Sequence, residues 1–553
     1  MPYRQSLTFH QQGEADAWSS GTQEASATRD LLPTELDFYQ SYSWCLNPYP
    51  TVREVIEHLR GEIDRLGAVP KGWQTEEVAT NIFLLSCALL NAVDEYLRGP
   101  TLRMPRQLAA LRLGRSARWA TDKLEDILQH RRRQQVRRWK ERWQAGLDDF
   151  LSVLVAGEAS DVTSSAELAS GLAMQSLLPP DLQAGHIGVP TPFRRLDLTH
   201  HDVLALGRRF VSRFPDRSQA ILLVGLRTSG SYFAPLLRAF LETEGYQTVS
   251  SLTVQPNKGP GRWEREDLKR CAQRGYTALI LDDAPYTAGT ILLAFALCRR
   301  AGFGSGQWKA LVPTHPARRN WFRSLPHDIV VSLEPEQWHK HRLLELTAAE
   351  SRLAEYFQGQ GFTSIRVVAS SAAKEFNARL QSASYDERSA RLKRVFEVVM
   401  ETPRGQKETR YVLAKSVGWG WLGYHAFLAG RRISSFVPPI LGLRDGILYQ
   451  EWFPQRASAK DGNEEREERM QRPPLAGPGS EPRTRQRFAT ASTWTSIAGE
   501  GAQQGLRPLR DRHADAAAAS AAIGRTALPD SDAHRWQYGM HGMVTLPRNG
   551  GHL

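Results

Sequence analysis

Ala278-Leu-Ile-Leu-Asp-Asp-Ala-Pro-Tyr-Thr-Ala-Gly-Thr-Ile-Leu292 is the stretch that decides how this chain folds. Leu279, Ile280 and Leu281 form an apolar run too short for a helix, which predicts a buried parallel strand, and apolar helical spacing resumes at Ile291. Two carboxylates, Asp282 and Asp283, therefore stand at a strand's carboxyl end. Tyr286, Thr287, Ala288, Gly289 and Thr290 follow, mostly small or hydroxylated residues that let backbone N–H groups and a helix N-terminus close around an anion. Acids beside a phosphate repel it unless they face something else. A ribose diol, or a magnesium ion shared with it, meets that condition, so the ligand implied is a sugar phosphate.

Working outward, Ala220 to Gly225 reads as another buried strand, running into Leu226-Arg-Thr-Ser-Gly-Ser231 and then a helix apolar on one face from Phe233 to Leu241. Strand, anion loop and helix thus occur twice, the repeating unit of a doubly wound parallel sheet. A strand from Thr248 to Val254 leads into Gln255-Pro-Asn-Lys-Gly-Pro-Gly-Arg262, a Pro/Gly-rich segment carrying Lys258 and Arg262. Trp308 to Val312 reads as a further strand, followed by His315, which is read as a structural loop histidine ahead of a wall of an acceptor pocket.

Four apolar positions, two acids and Thr-x-Gly-Thr resemble the ribose-phosphate motif of type I phosphoribosyltransferases, a glycosyltransferase class of nucleotide metabolism. The resemblance covers about residues 190–345, with the domain itself expected over 193–345. It implies that Asp282 and Asp283 hold the ribose hydroxyls, directly or through magnesium, and that Thr287 to Thr290 take the 5′-phosphate of 5-phosphoribosyl diphosphate. Arg227, Thr228, Ser229 and Gly230 fall on the family's pyrophosphate loop. Lys258 and Arg262 fall on its basic loop, a mobile lid whose cations stabilise charge on the leaving diphosphate. This chain has Ala288, Ser229 and Gln255 where many relatives have Gly, Arg and Arg.

The flanks are of different character. Residues 1–30 are polar and aperiodic and read as disordered, and 31–155 read as a helical domain: Thr51 and Glu54 form a capping box, and Thr75 is read as the cap of a largely buried second helix stopped by Gly99-Pro100. Arg131, Arg132, Arg133, Arg137, Arg138, Lys140 and Arg142 interleave with Trp139 and Trp143, a pattern read as a solvated helix face in preference to a nucleic-acid contact. Residues 156–192 read as a linker with one short helix.

Across 346–455, Arg394 to Met400 and Tyr411 to Lys415 form a β-hairpin pattern, then come a helix and the segment ending in Glu451-Trp452. That order resembles, more loosely, the small lobe of aminoglycoside- and choline-kinase-like phosphotransferases. The resemblance implies that Lys415 pairs nucleotide phosphates and that Glu451 and Trp452 meet the adenine of ATP. Residues 456–553 are rich in Arg, Pro, Ala, Gly and Ser, supply no kinase catalytic loop and read as disordered.

The expected fold is therefore a multidomain α/β chain of helical region, central phosphoribosyltransferase-like sheet, partial kinase-like lobe and tail. The net charge of +12 suits any anionic partner, from sugar phosphates to nucleic acid. Cys45, Cys87, Cys271 and Cys298 are scattered, without metal-site or disulfide spacing, and no signal peptide or sufficiently long apolar run is seen, so a cytoplasmic, non-membrane protein is expected. Four functions follow: ribosyl-phosphate transfer, non-catalytic ribose-phosphate sensing, a fragment of an ATP-dependent phosphotransferase, and nucleic-acid binding through residues 131–143.

Overall fold

A computed structural model describes residues 33–99, 114–157, 165–174, 178–319, 328–382, 385–386 and 389–453. The expectations for 1–30 and 456–553 lie outside them. The first helices are α1 (Pro33–Gln40), α2 (Val52–Leu66), α3 (Trp73–Arg98) and α4 (Gly114–Ala156). Thr51 and Glu54 make the expected capping box on α2, the Thr51 N–H donating to Glu54 Oε2 at 2.6 Å and the Glu54 N–H to Thr51 Oγ1 at 3.3 Å. The cap expected at Thr75 is corrected. The helix starts at Trp73 after Gly72, whose φ of 127° suits glycine, and the Thr75 hydroxyl donates instead to the Pro70 carbonyl at 3.0 Å. By composition α3 is long and apolar enough to cross a bilayer, yet its apolar window is almost wholly buried in protein.

Trp139 and Trp143 of α4 are buried and stacked, with centroids 5.4 Å apart, and Lys140 pairs with Asp94 at 2.6 Å. Those two tryptophans of the basic pattern are thus core and offer no face for a base to stack on, whereas the exposed Trp263 lies 4.6 Å from the Arg137 guanidinium. Three short helices occupy the stretch read as a linker and its end: α5 (Ser165–Ala173), α6 (Pro180–Ala184) and α7 (Thr191–Arg195).

After α8 (His200–Arg213) come β1 (Ile221–Leu226), α9 (Gly230–Thr243), β2 (Val249–Val254), α10 (Arg262–Gln273), β3 (Thr277–Leu281), α11 (Gly289–Ala301), β4 (Trp308–Pro313) and β5 (Val330–Leu333). The five strands form one parallel sheet in the order β2-β1-β3-β4-β5. Its alternating side chains feed two cores. Leu223, Leu279, Leu281 and Leu311 join α8, α9 and the N-terminal helices, whereas Leu222, Val224, Ile280 and Val312 join Leu268 of α10 and Ile291 and Phe295 of α11. Burial on both faces is why these strands read as continuous apolar runs.

The chain continues through α12 (His339–Leu343), α13 (Leu346–Gly359), β6 (Ser364–Val368), α14 (Ser371–Ser382), the two-residue strands β7 (Tyr385–Asp386) and β8 (Ser389–Ala390), β9 (Lys393–Glu401), β10 (Lys407–Ser416), α15 (Trp421–Arg432), β11 (Ile440–Arg444) and β12 (Ile447–Glu451). Five of these strands make an antiparallel sheet in the order β11-β12-β10-β9-β6. Trp419, Trp421, Tyr424 and Phe427 join the same core as α1 to α3. The protein is thus mixed α/β, with a parallel and an antiparallel sheet.

Candidate functional site

The parallel sheet has a topological switch at β1. From β1 the chain crosses to β2 on one side, and β3 then lies on the other, so the loops after β1 and β3 leave toward opposite faces and a crevice opens between them. Gly225 of β1 pairs with Leu281 of β3, which sets the loop that begins at Arg227 beside Asp282 and Asp283.

Two glycines bring the first loop in close. A Cβ on Gly230 would lie 2.2 Å from the Gly225 carbonyl carbon, and one on Gly225 would lie 2.4 Å from the Gly230 oxygen. Strand end and helix start therefore touch backbone to backbone, and no side chain fits at either position. The Arg227–Thr228 peptide is cis. Ser229 then reaches across the crevice, its hydroxyl donating to Asp283 Oδ2 at 2.8 Å, while the Asp283 N–H donates to Asp282 Oδ1 at 2.9 Å.

The acidic pair lacks positive charge. Burial raises the Asp282 carboxyl well above the usual carboxylate range, with the Asp283 charge adding to it; burial pushes Asp283 up to about 6, partly offset by the Ser229 hydrogen bond. Such a pair suits magnesium, an ion held by one or two carboxylates together with substrate phosphates. No group of three or more His, Cys, Asp and Glu that could hold a metal by protein alone is found among the described residues. Across the turn, Thr287 is exposed and Ala288, Gly289 and Thr290 are partly buried, with Ala288 as the N-cap of α11. The first turn of α11 offers backbone N–H groups that have no partner within the helix, aligned with the positive end of its dipole. Tyr286 closes one side, its ring 5.3 Å from His315 and 5.1 Å from the Arg318 guanidinium. His315 is buried and its Nδ1 accepts the Ala317 N–H at 3.1 Å, so it supports Tyr286 and its own loop.

The cations expected to meet a diphosphate are engaged elsewhere. Arg227 is 1% exposed and ion-paired to Glu264 of α10. Lys258 lies 4.0 Å from Glu95, and Arg262 pairs with Glu266 at 3.1 Å. The segment 255–262, expected to be a lid, is hydrogen-bonded to α3: Arg98 donates to Gln255 Oε1 at 2.9 Å and to the Lys258 carbonyl at 2.9 Å, and Gln255 also bonds Glu95. Asn91 and Asp94, further back on α3, accept from Ser231 at 2.9 Å and Thr253 at 2.8 Å. Between α3, the α6 turn and Thr228 lies a cleft of about 390 Å³, walled by Asn91, Glu95, Asp181 and His186.

Sequence reasoning missed the whole α3 contribution. The available signal was a set of polar residues, Asn91, Asp94, Glu95 and Arg98, at helical spacing on the end of an otherwise apolar helix.

Lys415 lies on β10, on the other sheet, and Glu451 ends β12. The Glu451 carboxylate binds Arg410 at 3.0 Å. In the Glu451-Trp452 segment expected to meet adenine, both backbone N–H groups are in use, that of Glu451 on the Pro439 carbonyl and that of Trp452 on the Tyr411 carbonyl, each at 2.8 Å. No protein-family model, curated protein or solved structure matches this chain.

Proposed function

We propose that this chain binds 5-phosphoribosyl diphosphate with magnesium at the β1–β3 crevice and transfers the ribose phosphate to an acceptor. The observation that carries the reading is the Ser229–Asp283 hydrogen bond at 2.8 Å, which joins the anion loop to the acidic pair at a switch point. Asp282 and Asp283 hold the ribose hydroxyls, and the Thr287 to Thr290 turn takes the 5′-phosphate on backbone donors. Magnesium, when bound, neutralises diphosphate and carboxylate charge together. The bond from ribose C1 to the diphosphate oxygen breaks, the acceptor's nucleophilic atom bonds C1, and the acceptor loses a proton to solvent or a nearby base. Arg227 serves the leaving group by exchanging Glu264 for diphosphate oxygens, a step that the incoming negative charge favours.

A second reading, binding without transfer, is favoured by that same Arg227–Glu264 pair and by the carboxylate partners of Lys258 and Arg262. Glu264→Gln separates the two. Pyrophosphate release from phosphoribosyl diphosphate, followed over a panel of nitrogenous and hydroxylic acceptors, is expected in the wild type and increases in the variant if Arg227 serves transfer. Tight binding with no release by either protein selects the sensor. Absence of binding to both rejects the site.

A further inference from the structure

The antiparallel sheet carries a set of cations that ribosyl transfer does not use. Lys415 on β10 stands directly opposite Lys393 on β9, a cross-strand position in which like charges repel and weaken the ladder. Arg391, two residues before Lys393, donates to the Ser416 carbonyl at 3.3 Å. From another element, α7 packs on α15. This brings Arg194 and Arg195 near enough to act on Arg391, and Arg194, Arg391 and Lys415 all act on His425 of α15.

Among the described residues, little negative charge faces this group. Asp197 is fully buried and 3.9 Å from Arg391, but its oxygens already accept the Leu392 N–H at 2.5 Å and the Ser416 hydroxyl at 2.6 Å. Behind it the Lys340 ammonium donates to the Ser416 hydroxyl at 2.9 Å and adds another positive charge. Among the described residues, neither the Lys393 nor the Lys415 ammonium makes a hydrogen bond or an ion pair. Burial, with Lys393 and Arg391 adding to it, pulls the Lys415 ammonium down to about 8. Burial and then the neighbouring cations lower His425 to about 4. A half-buried cation without a counter-charge is costly, and proteins keep such groups where an anion completes them.

We propose that Arg194, Arg391, Lys393 and Lys415 form a binding site for a small phosphate-bearing polyanion, a di- or triphosphate group, on a different sheet from the sugar-phosphate crevice. Recognition is through the phosphates, because the backbone donors at Glu451 and Trp452 are already taken. Inorganic di- or triphosphate and a nucleoside triphosphate present the same chemistry. The lysines are recessed and not displayed on a protruding face, which favours a small anion over a nucleic-acid backbone.

The test uses the full chain in magnesium-free buffer, titrated with diphosphate, tripolyphosphate, ATP, inorganic phosphate and a single-stranded RNA. Melting and calorimetric affinity are read for the wild type, Lys415→Met, Lys393→Met and the double variant Asp282→Asn/Asp283→Asn. Di- or triphosphate is expected to raise the wild-type melting temperature, and each lysine variant to bind it about tenfold more weakly. Without anion, the lysine variants melt at or above the wild type, because repulsion has been relieved. A purely structural lysine would give the opposite sign. The aspartate variant keeps the response, which separates failure here from failure of the sugar-phosphate reading. Tripolyphosphate and ATP binding alike means that phosphates alone are read; ATP binding more tightly means that its carrier is also touched. The proposal is overturned by a wild type indifferent to every phosphate, by an unchanged affinity in Lys415→Met, by lysine variants that melt lower without anion, or by RNA binding more tightly than tripolyphosphate.

Discussion

At the carboxyl end of the parallel sheet's central strand two carboxylates stand together, and the cations Arg227, Lys258 and Arg262 are each matched to a glutamate. On the antiparallel sheet two lysines face each other across a ladder, and Asp197, the carboxylate beside the neighbouring Arg391, already accepts from Leu392 and Ser416. The first region has its charge distributed and bridged by hydrogen bonds; the second leaves its charge concentrated. On the proposed reading, the acidic pair takes a cation together with its sugar, and the basic sheet takes an anion alone.

Breaking the acidic site at its backbone has the largest expected effect. Gly230→Val forces a side chain into the Gly225 contact and is expected to destabilise the chain by about 3 kcal/mol or more, read by urea denaturation, with loss of sugar-diphosphate binding. Asp197→Ala attacks the basic region instead. It leaves the Leu392 N–H and Ser416 hydroxyl without their acceptor and is expected to cost about 3 kcal/mol by the same measurement, with the loss reduced by added tripolyphosphate.

Titration sharpens the contrast. The folded-state pKa of Asp283, about 6, lies above the ordinary 3.8. Between these values the folded chain keeps a proton that the unfolded chain has lost, so the stability from this group falls as pH rises through that window. Asp283→Asn is therefore expected to be about 1 kcal/mol more stable than the wild type at pH 7, the figure being reduced because the site is partly open to water. The gain disappears below pH 4. Affinity for the magnesium sugar diphosphate runs the other way and rises with pH through about 6. Thr51→Ala touches neither region; loss of its cap is expected to cost about 1 kcal/mol and to leave both affinities unchanged.

What was legible in the sequence was local. Strand, acids, turn and helix from Thr277 to Ala301 are contiguous, so periodicity and turn chemistry suffice to place Asp282 and Asp283 at a strand end. The capping box at Thr51 was legible for the same reason, whereas the cap at Thr75 was not, because a positive φ at Gly72 let the helix start earlier. Partners of the site were hidden by sequence distance. Nothing local says that Glu264 reaches Arg227, that Arg98 holds the lid, or that Arg194 approaches Arg391; these follow from packing between remote elements.

The acidic pair and the loop after β1 are proposed to grip one ribose phosphate together. The most direct test of this is calorimetric titration of magnesium phosphoribosyl diphosphate into the wild type and the Asp282→Asn/Asp283→Asn variant at pH 7.5, with circular dichroism confirming that both are folded. One saturable binding event is expected in the wild type and at least about a hundredfold weakening in the variant, two charge-assisted contacts being lost. Equal affinity in the two proteins would contradict the proposed grip.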